Sequence, residues 1–140
     1  MKLEITYSNE LLTKQFGNWL INKINDLFIQ RINKSKLIPW DIYLNQEPSY
    51  KSIYLKKIST FDILMIGIRN LVCDDIPGKL IIKIDPNQYV PGLDRIRINS
   101  ICKLITYGNT SIKGYPIILD ILNEIADNID NYIEQYMEGV

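Results

Sequence analysis

Acidic side chains that lie close together in the sequence are the first candidates for chemistry, because two carboxylates can hold Mg²⁺ for phosphoryl transfer. Asp74 and Asp75 are adjacent, and Asp62 and Asp85 are nearby. A nuclease of the Pro-Asp…Asp/Glu-x-Lys type needs an acid two positions before a lysine on a strand, but an isoleucine holds that position before Lys83. The pattern therefore favours a solvated turn at Asp74 and Asp75 over a catalytic metal site.

Segment 106–116, TYGNTSIKGYP, places two glycines, a lysine and hydroxyls ahead of an expected helix, as phosphate-binding loops do. Such a loop needs Gly-x-x-x-x-Gly-Lys-Ser/Thr, so that consecutive N–H groups surround the phosphates. Here five residues separate Gly108 from Gly114, and Lys113 precedes the second glycine. The segment fits better as a helix C-cap, a loop and a proline that opens the next helix. Gly114 would also let a partner chain approach the backbone.

The 140-residue chain contains no histidine and two cysteines, which excludes several kinds of active site. Without histidine there is no Ser-His-Asp or Cys-His catalysis, and two cysteines cannot complete a thiolate zinc site. Cys73 and Cys102 are expected to be buried thiols in a reducing compartment and not a disulfide. We expect no enzymatic activity, no cofactor and no metal.

Residues 50–57, YKSIYLKK, interleave basic and aromatic side chains as nucleic-acid-binding surfaces do. On a strand, however, Lys51 and Lys57 would share one face while Tyr54 and Lys56 share the other, so the charges are split. The sequence pI is near 6.3, which is not that of a typical nucleic-acid-binding domain. An edge strand protected by lysines is the favoured interpretation, and nucleic acid is not an expected partner.

The hydrophobic pattern predicts neither a membrane span nor a secretory signal. The longest apolar run is 63–68, whereas a span needs roughly 20 residues. The N-terminus carries Glu4 and Glu10 and has no continuous apolar segment. We therefore expect no membrane partner and a cytoplasmic protein.

The pattern of apolar residues predicts one α+β domain over residues 1–140, a small mixed sheet of short strands packed by a long N-terminal helix and a C-terminal helical hairpin. Segment 61–72 fits two states: Ser59-x-x-Asp62 favours a helix, which we prefer, while Gly67 and the isoleucines favour a buried strand. Residues 95–98 fit a brief strand or a helix start. The predicted strands are 3–7, 37–44, 53–58 and 79–85. The other predicted helices run from 8 to about 33, from an N-cap at Asn99 or Ser100 to 107, and from 116 to about 137. A turn is expected at 76–78 and a loop through Pro91-Gly92 before residue 95.

Charge is the most organised feature of the sequence. Residues 114–140 carry six acids and no Lys or Arg, whereas all sixteen basic residues and the other ten acids precede them. In the predicted last helix the acids surround an apolar stripe, which makes an amphipathic, anionic helix. The stripe consists of Ile118, Leu122, Ile125, Ile129, Tyr132 and Tyr136.

Such a stripe packs either on the protein's own core or, at its end, on a neighbouring subunit. Tyrosine and methionine are enriched at interfaces, which favours docking for the end of the helix. An acidic end and a basic body also suit head-to-tail contact. The predicted interface residues are Ile129, Tyr132, Ile133, Tyr136 and Met137, together with Tyr107, Asn109 and Tyr115.

Segment 98–109, INSICKLITYGN, continued by IKGYP at 112–116 and the acidic helix, resembles small virion proteins of tailed bacteriophages with AT-rich genomes. The resemblance covers the chain from about residue 98 onward. It implies a non-enzymatic part of the particle at the head, the neck (as a head-tail connector) or the tail.

We therefore expect a structural or assembly protein of a multi-subunit complex, binding further copies of itself or other virion proteins. It would be cytoplasmic in the host before assembly and part of the virion afterwards. The alternative is a small regulatory or inhibitory protein that binds one cellular partner through its acidic C-terminal helix, since an acidic surface can imitate nucleic acid.

Overall fold

The structure is a computed structural model that describes residues 1–6, 14–39 and 58–139, with the backbone alone at 93–95. A 3₁₀ turn at Lys34–Lys36 follows the first helix. The helices and strands in chain order are β1 (Lys2–Thr6), α1 (Lys14–Arg31), α2 (Thr60–Arg69), β2 (Leu71–Ile76), β3 (Lys79–Ile84), β4 (Tyr89–Val90), β5 (Leu93–Arg97), α3 (Ile98–Tyr107), α4 (Ile117–Asp127) and α5 (Ile129–Glu138). This content confirms the predicted α+β class.

The chain forms two compact units of opposite charge. The first contains Met1–Arg31, Leu71–Lys83 and Ile117–Val140, and the second contains Ile32–Asn70 and Ile84–Pro116. The first has six Lys and Arg against eleven Asp and Glu, a net charge of −5, and we call it the acidic unit. The second has ten against five, a net charge of +5, and is the basic unit. The single domain expected over residues 1–140 stays a prediction.

The acidic unit is built on a three-stranded sheet in the order β1-β3-β2. β1 pairs antiparallel with β3, so that Leu3 lies opposite Ile82 and Ile5 opposite Leu80. These four side chains are buried because alternate residues of a strand point to the same face of its sheet. A two-residue turn with Gly78 at φ 81° joins β2 to β3, as the turn residues predict, and makes the sheet antiparallel where a mixed one was expected.

Helix α1 covers this sheet with a stripe of side chains spaced by four residues. Phe16, Leu20, Ile24 and Phe28 are fully buried, as the spacing of apolar residues predicts. Helix α4 packs against β1 and α1, and α5 packs against α1 and α4. The predicted start of the first helix at residue 8 lies outside the described residues.

In the basic unit, α2 packs against α3. The choice for segment 61–72 is settled as a helix to Arg69 followed by a strand from Leu71. A capping box begins the helix: the Ser59 hydroxyl accepts from the Asp62 N–H at 3.1 Å, and the Asp62 carboxylate accepts from the Ser59 N–H. The box satisfies N–H groups that a helix start otherwise leaves unpaired, which is why the Ser-x-x-Asp signal prevails.

The alternative for residues 95–98 is also settled, since strand β5 ends at Arg97 and helix α3 starts at Ile98. The expected cap at Asn99 or Ser100 is therefore wrong, because the chain passes directly from strand to helix and Arg97 holds the N-cap position without a side-chain hydrogen bond. The expected loop before β5 contains strand β4, joined to β5 by a turn with Gly92 at φ 83°.

Two further expectations are corrected. Residues 37–39 do not form the start of a strand, because Leu37 closes the 3₁₀ turn by donating its N–H to the Lys34 carbonyl at 3.1 Å. The rest of that predicted strand, 40–44, and the part 53–57 of the next lie outside the described residues. The last helix is not continuous to Met137, because Asn128 adopts φ −118°, ψ 27° and its side-chain amide donates to the Glu124 carbonyl at 2.9 Å.

Candidate protein interaction surface

Asp74 and Asp75 do not form a solvated turn, since both lie in strand β2. Neighbouring strand residues point to opposite faces, so the two carboxylates do not converge. The Asp74 carboxylate forms an ion pair with Lys83 at 3.0 Å. This geometry gives no support to Mg²⁺ binding by the pair.

The other two acids considered for chemistry have local structural contacts. Asp62 completes the capping box of α2, and an Asp85 oxygen accepts from the Asn87 N–H at 2.9 Å. Among the described residues, no group of three or more Cys, Asp or Glu side chains is placed to hold a metal ion. In the same part of the chain, no helix is long and apolar enough to cross a membrane.

A groove of about 580 Å³ in the basic unit is mainly apolar. Its acid is Asp62, which the capping box already uses, and its base is the exposed Arg69. Its described lining residues include no nucleophile with a neighbouring base, so they provide no acid–base constellation. The lining residues are Ile58, Asp62, Met65, Ile66, Arg69, Pro91 and Gly92.

The Gly-rich segment 106–116 uses most of its N–H groups internally, so they cannot surround a phosphate. An Asn109 oxygen accepts from the N–H groups of Ser111 and Ile112, each at 2.9 Å. The Asn109 N–H in turn donates to the Ile112 carbonyl at 3.0 Å. Gly108, at φ 72°, caps α3 by donating to Leu104 at 2.7 Å, as predicted.

Residue 114 has to be glycine because backbone atoms of the same chain fill the space that a side chain would need. This corrects the expectation that Gly114 leaves room for a partner chain. A Cβ there would lie 2.2 Å from the Thr106 carbonyl oxygen and 2.8 Å from the Gly108 nitrogen. Tyr115 then donates its N–H to the Ile105 carbonyl at 2.7 Å, which holds the segment against the end of α3. Segment 106–116 is a closed structural turn.

Both cysteines are free thiols. Cys102 is fully buried, as expected, and burial raises the pKa of its thiol to about 12. Cys73 is half-buried, and burial together with the charge of Asp75 raises the pKa of its thiol too. A raised pKa leaves little thiolate at neutral pH, so neither side chain is an activated nucleophile.

Helix α4 is joined to α1 by a bidentate ion pair at the surface. Arg31 Nη2 donates to Glu124 Oε1 at 2.9 Å, and Nη1 donates to Oε2. The hydrogen bonds from Arg31 hold the pKa of the Glu124 carboxyl below its usual value. This contact neutralises one of the acids of the C-terminal segment.

Helix α5 is anchored to α1 by aromatic rings. The Tyr136 ring meets Phe16 edge-on at 5.2 Å and Trp19 at 5.5 Å between centroids. Ile129, Tyr132 and Ile133 are also half-buried, and no side chain of α5 is fully buried. Four of the predicted interface residues on α5 are thus largely covered by their own chain, whereas Met137 is exposed, at 43%.

The opposite side of α5 carries a row of acids that we call the acidic stripe: Asp130, Glu134 and Glu138. The three lie four residues apart and are exposed, so they follow one line along the helix. Met137 and Ile133 border this line. No basic residue of the described part of the chain forms an ion pair with the stripe.

The other predicted interface residues lie in the basic unit. Tyr107 is 61% exposed at the end of α3. Tyr115 is half-buried, and its hydroxyl oxygen accepts from the Asn33 N–H at 3.1 Å. The Asn109 oxygen is used within its turn, and its Nδ2 is buried without a hydrogen-bond partner among the described residues.

Two lysines that are not among the predicted interface residues accompany Tyr107. Lys103 is exposed one turn before Tyr107 on α3, and residues four apart share a helix face. Lys113 is exposed and forms an antiparallel bridge with Gly108, the residue after Tyr107. We call Lys103, Tyr107 and Lys113 the basic patch. The spacing of Lys103 and Tyr107 was a readable signal, whereas the approach of Lys113 depends on the turn.

Comparison with family models, with curated proteins and with solved structures found no match to this chain. A function can therefore be argued only from its residues and their arrangement.

Proposed function

We propose that this protein is a non-enzymatic subunit of a multi-subunit assembly and that it docks on other protein subunits through the acidic stripe of α5. The observation that carries the proposal is the row Asp130, Glu134 and Glu138, exposed beside Met137 and without a basic partner among the described residues. Apolar contact bordered by charge is the usual composition of a protein interface.

The acidic stripe destabilises helix α5 itself, which supports a role for the stripe in binding another subunit. Glu134 and Glu138 lie near the C-terminus of α5, where the helix dipole is negative, and no basic residue lies in the last turn. Like charges four residues apart also repel one another. Together these effects cost about 1 kcal/mol in typical helices. A partner that supplies positive charge would relieve this repulsion.

The setting we propose is a virion of a tailed bacteriophage. It rests on the resemblance of segment 98–116 and the acidic helix to small virion proteins of such phages. The alternative is a regulatory or inhibitory protein that binds one cellular partner through the same stripe, and the exposed acids support it as well. A stable monomer would favour this alternative over assembly.

The proposal is tested by reversing the stripe with Glu134→Lys and Glu138→Lys. Lysine near a helix C-terminus is favourable, so this variant should fold at least as well as the wild type. The matched control is Asp26→Lys with Asp120→Lys, which changes the net charge equally through two exposed acids on α1 and α4.

Light scattering coupled to size exclusion measures the outcome as a molar mass. We expect the wild type and the control to exceed the 16.3 kDa of one chain and the stripe variant to be a monomer. Circular dichroism checks that all three are folded. Equal masses for the stripe variant and the control would contradict docking through the stripe.

A further inference from the structure

We propose that the basic patch of one copy receives the acidic stripe of a second copy, so that subunits associate head to tail. This inference rests on the proposed function and names its partner. Lys103, Tyr107 and Lys113 belong to the basic unit, and the stripe belongs to the acidic unit. The contact joins two different surfaces, so it is heterologous and produces a ring or a filament.

The charges of the two surfaces support a second copy as the occupant. The two units carry −5 and +5, so one copy supplies the charge that the other lacks. The ion pairs between described residues, such as Lys79 with Glu4 and Lys83 with Asp74, lie within the acidic unit. Complementary potentials of this kind determine orientation and partner choice.

Two cations of the basic unit contact aromatic rings, and neither forms an ion pair with a described acid. Lys34 lies over the Phe61 ring at 4.2 Å, and Arg97 lies over the Tyr89 ring at 5.7 Å. Neither Lys103 nor Lys113 forms an ion pair with a described acid. As far as the described residues are concerned, the basic patch thus retains its positive charge for an anionic partner.

The side chains of the two surfaces also fit each other in kind and spacing. Lys103 and Tyr107 lie one helical turn apart, as do Glu134 and Glu138. Each surface adds an exposed apolar side chain, Tyr107 at 61% and Met137 at 43%. If the last turn of α5 in one copy lies along the end of α3 in another copy, its glutamates reach Lys103 and Met137 meets the Tyr107 ring. Methionine–aromatic contacts are favourable.

The test combines two variants, each with one surface disabled. The stripe variant is Glu134→Lys with Glu138→Lys, and the patch variant is Lys103→Glu with Lys113→Glu. Each should be a monomer alone, because a head-to-tail contact needs both surfaces. Mixed in equal amounts, they should associate in alternation, native stripe on native patch and reversed stripe on reversed patch, to a mass above the 16.3 kDa of one chain. A mixture that remains monomeric would overturn the inference.

Two further variants distinguish a failure of the head-to-tail inference from a failure of the proposed function. A chain with all four substitutions has its complementary charges exchanged and zero net charge, so it should regain the wild-type mass. A control with Lys34→Glu and Arg69→Glu should also associate like the wild type. If the patch variant keeps the wild-type mass, the patch is not the docking site, although the proposed function stands. If the wild type is itself a monomer, both proposals fail.

Discussion

The Tyr136 ring packs edge-on against the Phe16 ring, with centroids 5.2 Å apart, and so joins the last described helix to a fully buried residue of α1. This contact fixes the rotation of α5 about its axis. That rotation places the half-buried stripe of α5 toward its own unit and leaves Glu134 and Glu138 in solvent. The internal packing of Tyr136 thus presents the acidic stripe.

Replacing Tyr136 therefore tests intramolecular packing. Tyr136→Ala removes both ring contacts of a half-buried side chain and should lower the free energy of unfolding by about 1 to 3 kcal/mol. Tyr136→Phe keeps the ring and should change it by less than about 0.5 kcal/mol. Urea titration followed by circular dichroism gives both values. If Tyr136→Ala is as stable as the wild type, α5 is not anchored by this ring.

Gly114, in the turn after α3, is predicted to tolerate no side chain. Gly114→Ala would place its Cβ 2.2 Å from the Thr106 carbonyl oxygen, a backbone atom that cannot rotate away, and should cost at least about 2 kcal/mol. The control is Gly139→Ala, since the nearest atoms there are 3.7 Å away and φ is −83°. The difference is measured as a shift in Tm. Equal Tm values for the two variants would show that the turn is not closed as described.

Gly17 allows α1 to approach strand β2. A Cβ at Gly17 would lie 2.3 Å from Cys73 Sγ, so Gly17→Ala should destabilise the protein by about 1 to 3 kcal/mol. Cys73→Ala removes the sulfur that the new methyl group would meet. The double variant should therefore lose less than the sum of the two single losses. Additive losses would place the effect of Gly17→Ala elsewhere.

The ion pair of Arg31 with Glu124 should make stability depend on acid. Because the folded protein lowers the pKa of Glu124, the pair stabilises the fold above the usual pKa of 4.5, and this contribution is lost as pH falls through the lowered value. Glu124→Gln should thus have a lower Tm than the wild type at pH 7, and the difference should shrink toward pH 3. A difference independent of pH would exclude the charge of Glu124 as its cause.

Periodic and local signals were sufficient for much of the fold. The four-residue spacing from Phe16 to Phe28 predicts α1 and its buried face, and the Ser59 capping signal predicts α2. The strand at Lys79–Ile84 and the positive φ at Gly108 also follow from local residue preferences. In each case one interaction within a few residues decides the structure.

Other features depend on competition or on contacts distant in sequence. Asn128 interrupts the last helix because its side chain binds a carbonyl of the preceding turn, which the apolar spacing does not reveal. The hairpin of β4 and β5 is short, and its Gly92 turn was its main signal. The acidic stripe was predicted in part, because the six acids were visible but the side of α5 that packs against α1 was not. The position of Lys113 beside Tyr107 required the bridge to Gly108.

The central claim, assembly through complementary charge, is tested most directly by the molar mass of the wild-type protein at two salt concentrations. Light scattering at about 0.1 M and about 1 M salt compares screening lengths of roughly 10 Å and 3 Å. We predict a discrete mass above 16.3 kDa at the lower concentration and a smaller mass at the higher one. A mass of 16.3 kDa at both concentrations would contradict the account.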